Sequence, residues 1–131
     1  MSIIYPTPDQ VIKANEVVLN EIHVKKGDKH QLLSYSKITN AIEACKTEDG
    51  DIYDKASTLI IDLTRMPHAF ASGNRRTAFA VTMEFMKANG ERLPVLTDAR
   101  NVLSGIREGF YTKEDVKEWL KGNGIREFHR K

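Results

Sequence analysis

The run His68-Ala69-Phe70-Ala71-Ser72-Gly73-Asn74-Arg75-Arg76-Thr77 places a proton acceptor, a glycine turn and two cations side by side, and an apolar segment follows it as far as Asn89-Gly90. A helix that begins near Asn74 leaves its first backbone N–H groups without intrahelical acceptors and turns the positive end of its dipole toward whatever lies in front. Gly73 lets the backbone turn tightly and approach a ligand. The guanidinium groups of Arg75 and Arg76 can donate in pairs to phosphate oxygens. His68, the side-chain type whose ordinary pKa lies near neutrality, can take a proton from an incoming hydroxyl. Together these residue types describe a phosphate cradle with a base beside it, suited to phosphoryl or nucleotidyl transfer. Taken singly, each has a plainer reading: Gly-Asn as a turn, Arg-Arg as a solvated helix face, a histidine before Phe as a packed loop residue. The placing of His68 six residues before Asn74, at the mouth of a long apolar helix, favours the site.

The same run resembles the signature of the Fic/Doc proteins, His-x-Phe-x-(Asp or Glu)-(Gly or Ala)-Asn-x-Arg, which the Doc (death-on-curing) branch continues with Thr and Ala. His68, Phe70, Gly73, Asn74, Arg76, Thr77 and Ala78 match it. Similarity to Doc extends upstream through Tyr53-Asp54-Lys55-Ala56-Ser57-Thr58-Leu59, downstream through Phe85-Met86-Lys87-Ala88-Asn89-Gly90, and along the tail from Val102 to Leu120, so that it covers most of the chain. The resemblance implies that His68 is the base that deprotonates a target hydroxyl, that Gly73 and Asn74 lie in the loop holding the nucleotide phosphates, and that Arg76 contacts them. It also implies that Phe70 anchors the loop in the core, with Thr77 helping to shape it, and that ATP or another nucleoside triphosphate is the donor. Position 75 is glycine in the Fic branch, associated with AMP transfer, and lysine in Doc, associated with phosphate transfer to a translation elongation factor. Arg75 is a long cation that fills space a glycine leaves open, so the Doc-like orientation, with Arg75 among the phosphate-holding residues, is the expectation. A Doc-like chain is in turn a toxin, neutralised by a separate antitoxin whose apolar helix face lies in a groove of the bundle.

Ser72 departs from the pattern. It stands where the resemblance calls for the Asp or Glu that binds Mg2+, and a hydroxyl is a far weaker ligand for a hard divalent cation than a carboxylate. Three readings stay open. Arg75 and Arg76 supply the charge the metal would have supplied; another acid such as Asp62 or Glu84 reaches the site; or the chain is a non-catalytic nucleotide- or protein-binding module that retains the fold. No metal ligand is assigned. A second pattern, Ser104-Gly105-Ile106-Arg107-Glu108-Gly109, fits the loose Ser/Thr-x-x-x-Glu-(Gly or Asn) sequence of self-inhibiting Fic proteins. A solvated Glu108 at a helix end is the preferred expectation there.

The elements that must position these residues read as helices throughout. Thr7-Pro8-Asp9-Gln10 supplies an N-cap, a proline at the first helical position and a capping-box Gln, and Val11, Val18, Leu19 and Ile22 mark one face of a helix running to about Ile22. Ile38, Ala41, Ile42 and Cys45 share a face of a second helix, which ends before Glu48-Asp49-Gly50-Asp51. Ile52, Ala56, Leu59, Ile60 and Leu63 make a third, stopping at Pro67. The fourth runs from about Asn74 to Asn89, with Gly90 as its stop. Its apolar residues on several faces predict that it is the buried centre. Asp98 or Thr97 can cap a fifth helix through Val102 and Ile106 to Gly109, and Thr112 opens a sixth that buries Val116, Trp119 and Leu120.

With 131 residues, 40% of them apolar, the chain can build one hydrophobic core and not two. The expectation is a single all-α domain over 1–131, a Fic/Doc-like bundle of about six helices around a central buried one. A formal charge of +2 does not demand nucleic acid as a partner, and the basic stretch from Arg126 to Lys131 is expected to be a solvated end. The lone Cys45 excludes an internal disulfide, suits a reducing cytoplasm, and sits where a small core residue belongs. No apolar stretch reaches membrane-spanning length, and the start Met1-Ser2-Ile3-Ile4-Tyr5-Pro6 has neither a basic n-region nor a cleavage site, so a cytoplasmic location is expected. The stretch from His23 to His30 has no metal-ligand spacing and is expected to be a mobile, solvated loop.

Overall fold

Four of the six helices start where the sequence supplies a capping side chain. In the computed structural model, which describes residues 2–21, 30–96 and 98–129, the helices are α1 Pro8–Glu21, α2 Tyr35–Thr47, α3 Ile52–Thr64, α4 Asn74–Ala88, α5 Ala99–Arg107 and α6 Lys113–Leu120. The Thr7 hydroxyl accepts from the Gln10 amide while Gln10 Oε1 accepts from the Thr7 amide, the reciprocal box expected for α1. Asp51 with Asp54 and Thr112 with Asp115 close the same box on α3 and α6, and Ser34 Oγ accepts from the Lys37 amide at the start of α2. The end of α4 is a left-handed glycine turn. Gly90, at φ 82°, returns its N–H to the Lys87 carbonyl, and Glu91 returns its own to Met86. No strand forms among the described residues, and the fold is an all-α bundle. The expected end of α1 at Ile22, most of the stretch from His23 to His30, the Thr97 cap and the last two residues of the tail lie outside the described residues.

α3 takes the centre that α4 was expected to hold. It packs against α2, α4, α5 and α6, whereas α4 touches α1, α3 and α5. The reason is legible in α3's side chains: Ala56, Ser57 and Thr64 are fully buried beside Leu59, Ile60 and Leu63, and small residues let neighbouring helices approach from several sides. α4 keeps Arg76, Ala80 and Glu84 in solvent. Even the lysine of α3 is buried. Lys55 Nζ donates to the carbonyls of Lys46 and Glu48, at 3.1 and 2.7 Å, and so closes the C-terminus of α2 with a cation. Cys45 is completely buried, and burial pushes its thiol up to about 11, which makes it an inert core residue.

Two details of the C-terminal half differ from expectation. Asp98 does occupy the N-cap position of α5, but at φ 58° its side chain caps nothing, because capping needs an extended backbone that aims the side chain at the first free N–H groups. Arg126 is exposed, as a solvated end should be, but it is not loose. Its guanidinium lies 4.2 Å from the centre of the Phe110 ring and donates to the Phe110 carbonyl at 2.6 Å, and Asn101 on α5 exchanges two hydrogen bonds with the backbone of Phe128. The chain after α6 is therefore strapped along α5. Gly105 makes this packing possible, since a Cβ there would stand 2.3 Å from Tyr111 Cε2 in a ring that is 3% exposed. Gly105→Ala is expected to cost about 1–3 kcal/mol of stability through overpacking. Urea unfolding of the variant checks this, and an unchanged midpoint would show that Tyr111 yields freely.

Candidate active site

The expected site residues lie on the loop between α3 and α4 and on the first turn of α4. The loop is held from two sides. Leu33 and Ser34 both donate their N–H groups to the Ala69 carbonyl, at 2.7 and 3.1 Å, and Ala71 N–H donates to the Gln31 carbonyl at 3.0 Å, so Leu32 and Phe70 face each other as an isolated antiparallel bridge. In such a pairing Phe70 turns its own N–H and C=O away from Leu32. Both are met by Asn74, whose Oδ1 accepts from Phe70 N–H at 3.0 Å and whose Nδ2 donates to Phe70 O at 2.8 Å. The Phe70 ring is buried in the core.

From below, the loop is tied to α1. Asn15 is completely buried, and its Nδ2 donates to the Ser72 carbonyl at 2.9 Å and to Thr77 Oγ1 at 3.1 Å. Its Oδ1 accepts from His30 Nδ1 at 2.8 Å, and the His30 ring lies 6.0 Å from that of Phe70. His30 is exposed in irregular backbone, as expected of a solvated loop, and the bond to Asn15 tethers its ring beneath the site. Sequence reasoning passed over Asn15, although an Asn at the i+4 position from Val11 and three before Val18, on a buried stripe, is itself a sign of a satisfied polar core residue.

α4 opens on Gly73 at φ 76°, which has no side chain to cap it. A Cβ there would meet Leu19 and Asn15 side-chain atoms at 3.1 and 3.2 Å, in a backbone region that already disfavours one. The two arginines part at this point. Arg75 is half-buried and its Nη1 donates to Ser104 Oγ on α5 at 2.7 Å, and Ser104 Oγ in turn donates to the Arg100 carbonyl. Arg76, about 100° further round the helix, is exposed to solvent.

His68 is half-buried, and its Nε2 is enclosed without a hydrogen-bond partner among the described residues. Burial pulls its pKa below the ordinary value, and the positive charges of Arg107, Lys37 and Arg75 pull it further in the same direction. The imidazole is thus neutral at neutral pH, the form that accepts a proton. The structure brings Arg75 to His68 and leaves Arg76 outside the set of charges acting on it. It adds Lys37 from the first turn of α2 and Arg107 from the last turn of α5, neither of which stood out in the sequence.

No family model matches the chain, and no curated protein matches it. The residues themselves therefore carry the functional argument. For a magnesium ion they do not fit. Ser72 offers a hydroxyl, and the described residues hold no cluster of three His, Cys, Asp or Glu side chains that could ligate a metal. Burial holds the Asp62 carboxyl above its ordinary value, and the charges acting on it are those of Lys37, Arg65 and Glu48. Glu84 lies about 15 Å along α4 from Asn74 at 1.5 Å per residue, where it lines a separate apolar groove of about 500 Å³ with Tyr5, Val17, Val81 and Phe85. Glu108 is exposed and pairs with its neighbour Arg107 at 3.4 Å, not with Arg76.

A titration of the His68 ring by NMR is expected to give a midpoint below 6.5, and Arg107→Gln should move it upward by removing one of the opposing charges. The unfolded chain binds the proton more readily than the folded one, so between the two midpoints stability rises with pH. This contribution is complete above about pH 6.5 and is lost as pH falls through the folded midpoint. A midpoint at or above 6.5 would contradict the arrangement.

Proposed function

We propose that this chain is a Fic/Doc-like transferase of the Doc type, a toxin that moves a phosphoryl group from ATP or another nucleoside triphosphate to a hydroxyl of a target protein of the translation-factor class, in the cytoplasm and under the control of a separate antitoxin. The observation that supports this reading is His68, a half-buried imidazole held below its ordinary pKa by burial and by three cations, on the loop that feeds the uncapped start of α4. In the proposed step His68 accepts the proton of the target hydroxyl as its oxygen forms a bond to the γ-phosphorus. The bond from that phosphorus to its bridging oxygen breaks, and the nucleoside diphosphate leaves. The backbone N–H groups that follow Gly73, with the cations Arg75 and Arg76, hold the phosphates. Asn74 serves by fixing the loop, since its amide is engaged on Phe70, while Phe70 anchors the loop in the core and Thr77 ties it to Asn15.

AMP transfer is the second reading, with attack at the α-phosphorus and pyrophosphate as the leaving group. Against it stands the side chain of Arg75, held across to Ser104. The deciding experiment incubates the full chain with γ-labelled or α-labelled ATP and a cell lysate, with His68→Ala as control. Label from the γ position alone supports phosphoryl transfer, and label from the α position supports AMP transfer. Absence of label from both, in a protein that still binds ATP, supports the non-catalytic module that Ser72 suggests.

A further inference from the structure

Cations on three separate helices act electrostatically on His68: Arg75 on α4, Arg107 on α5 and Lys37 on α2. Arg75, on α4, is bound across to Ser104 on α5. Arg107 lies three residues beyond Ser104 and so on the same face of α5. Lys37 lies in the first turn of α2, and the residues that lead into that turn, Leu33 and Ser34, are hydrogen-bonded to the carbonyl of Ala69, the residue after His68. Among the described residues no acidic side chain is among the charges that act on His68; the Asp62 carboxyl acts on Lys37, and Glu84 lines a separate groove.

We propose that Lys37 and Arg107 complete, with Arg75 and the start of α4, a site that holds the donor's triphosphate without a divalent cation. The inference rests on the phosphoryl-transfer reading for the identity of its ligand. A triphosphate chain carries several negative charges, which a metal ion ordinarily helps to offset; three side-chain cations and the positive end of a helix supply an offset of similar size from fixed positions. The guanidinium groups cannot lose their charge, and each presents a planar fork that suits neighbouring phosphate oxygens. Lys37 is different. Burial pulls its amine below the usual value while the Asp62 carboxyl pulls it the other way, so a bound anion would add to what Asp62 already does for the charged amine. Arg107 is contested by Glu108, an exposed contact that an arriving anion can displace.

The test is calorimetric titration of the full chain with inorganic tripolyphosphate and with ATP, in EDTA and again in magnesium chloride. Binding of tripolyphosphate is expected to persist in EDTA and to weaken with salt. Lys37→Gln and Arg107→Gln should each weaken it roughly tenfold, the scale of one lost charge-assisted hydrogen bond. Lys37→Arg should retain most of the affinity, and Lys121→Gln, at the C-cap of α6 and paired with Glu118, should leave it unchanged. Circular dichroism of each variant separates loss of fold from loss of the site. As a second readout, saturating tripolyphosphate should raise the NMR titration midpoint of His68, and the rise should shrink in both glutamine variants. Binding that requires magnesium, or affinity unchanged in both variants, overturns the inference; if γ-label transfer persists in magnesium, the proposed function survives that loss. Absence of tripolyphosphate and ATP binding under both conditions overturns the two together.

Discussion

His68→Ala is expected to lower the transfer rate by about 10²–10⁴-fold, the range that general-base catalysis contributes, with helical content and tripolyphosphate affinity preserved. The side chain is half-buried on a loop, not in the helical core, and its Nε2 makes no hydrogen bond among the described residues. Its removal takes away the acceptor for the hydroxyl proton while the cations around it remain. The loss should therefore fall on kcat and not on binding, which distinguishes a base from a residue that merely props the loop. Because the neutral form is the active one and its pKa is held low, the wild-type rate should be flat through neutrality and fall only on the acid side, below about 6.5. A variant within tenfold of wild type, or a rate that falls as pH rises through 7, would remove His68 from this role.

Asn74→Ala is expected to be the most damaging single substitution to the loop, costing about 2–4 kcal/mol. Phe70 has both backbone polar groups buried and satisfied by one side chain, so the truncation strands a donor and an acceptor together, each at about 1–3 kcal/mol. Asn74→Asp is not a remedy. It preserves an acceptor for the Phe70 N–H but sets an anionic oxygen against the Phe70 carbonyl, where the amide had donated. Both variants should unfold at lower denaturant and show a mobile Phe70 loop by hydrogen exchange. A stability change within about 0.5 kcal/mol would mean that the loop finds other partners.

The helices were legible because their signals are local. The Thr7–Gln10 box, the stop at Gly90 and the Thr112 cap are each written within a few residues and appear where expected. The centre of the bundle was less so. Apolar residues on several faces pointed to α4, but buried small and hydroxyl-bearing residues, Ala56, Ser57 and Thr64, decide which helix accepts neighbours on most sides. At the candidate site, the run from His68 to Thr77 is contiguous in sequence and stays together in space. What supports it is not contiguous. Asn15 and Ser72 are 57 residues apart and Arg75 and Ser104 are 29 apart, and no periodicity in one segment announces a hydrogen bond to another. Lys37 and Arg107 read as ordinary helix-end cations until the fold brings them near enough for their charge to act on His68.

α5 is nine residues long, too short to persist as a helix without support, and among the helices it touches only α3 and α4. Its lasting position depends on the ring of Tyr111 seated against Gly105 and on the double clasp between Asn101 and Phe128, 27 residues later in the chain. Yet α5 carries both Ser104 and Arg107. The strap after α6 is thus a brace for the anion-facing wall: anything that peels it away, whether a cut, a modification of Phe110 or Phe128, or a competing peptide, would slacken the grip on a ligand it never touches.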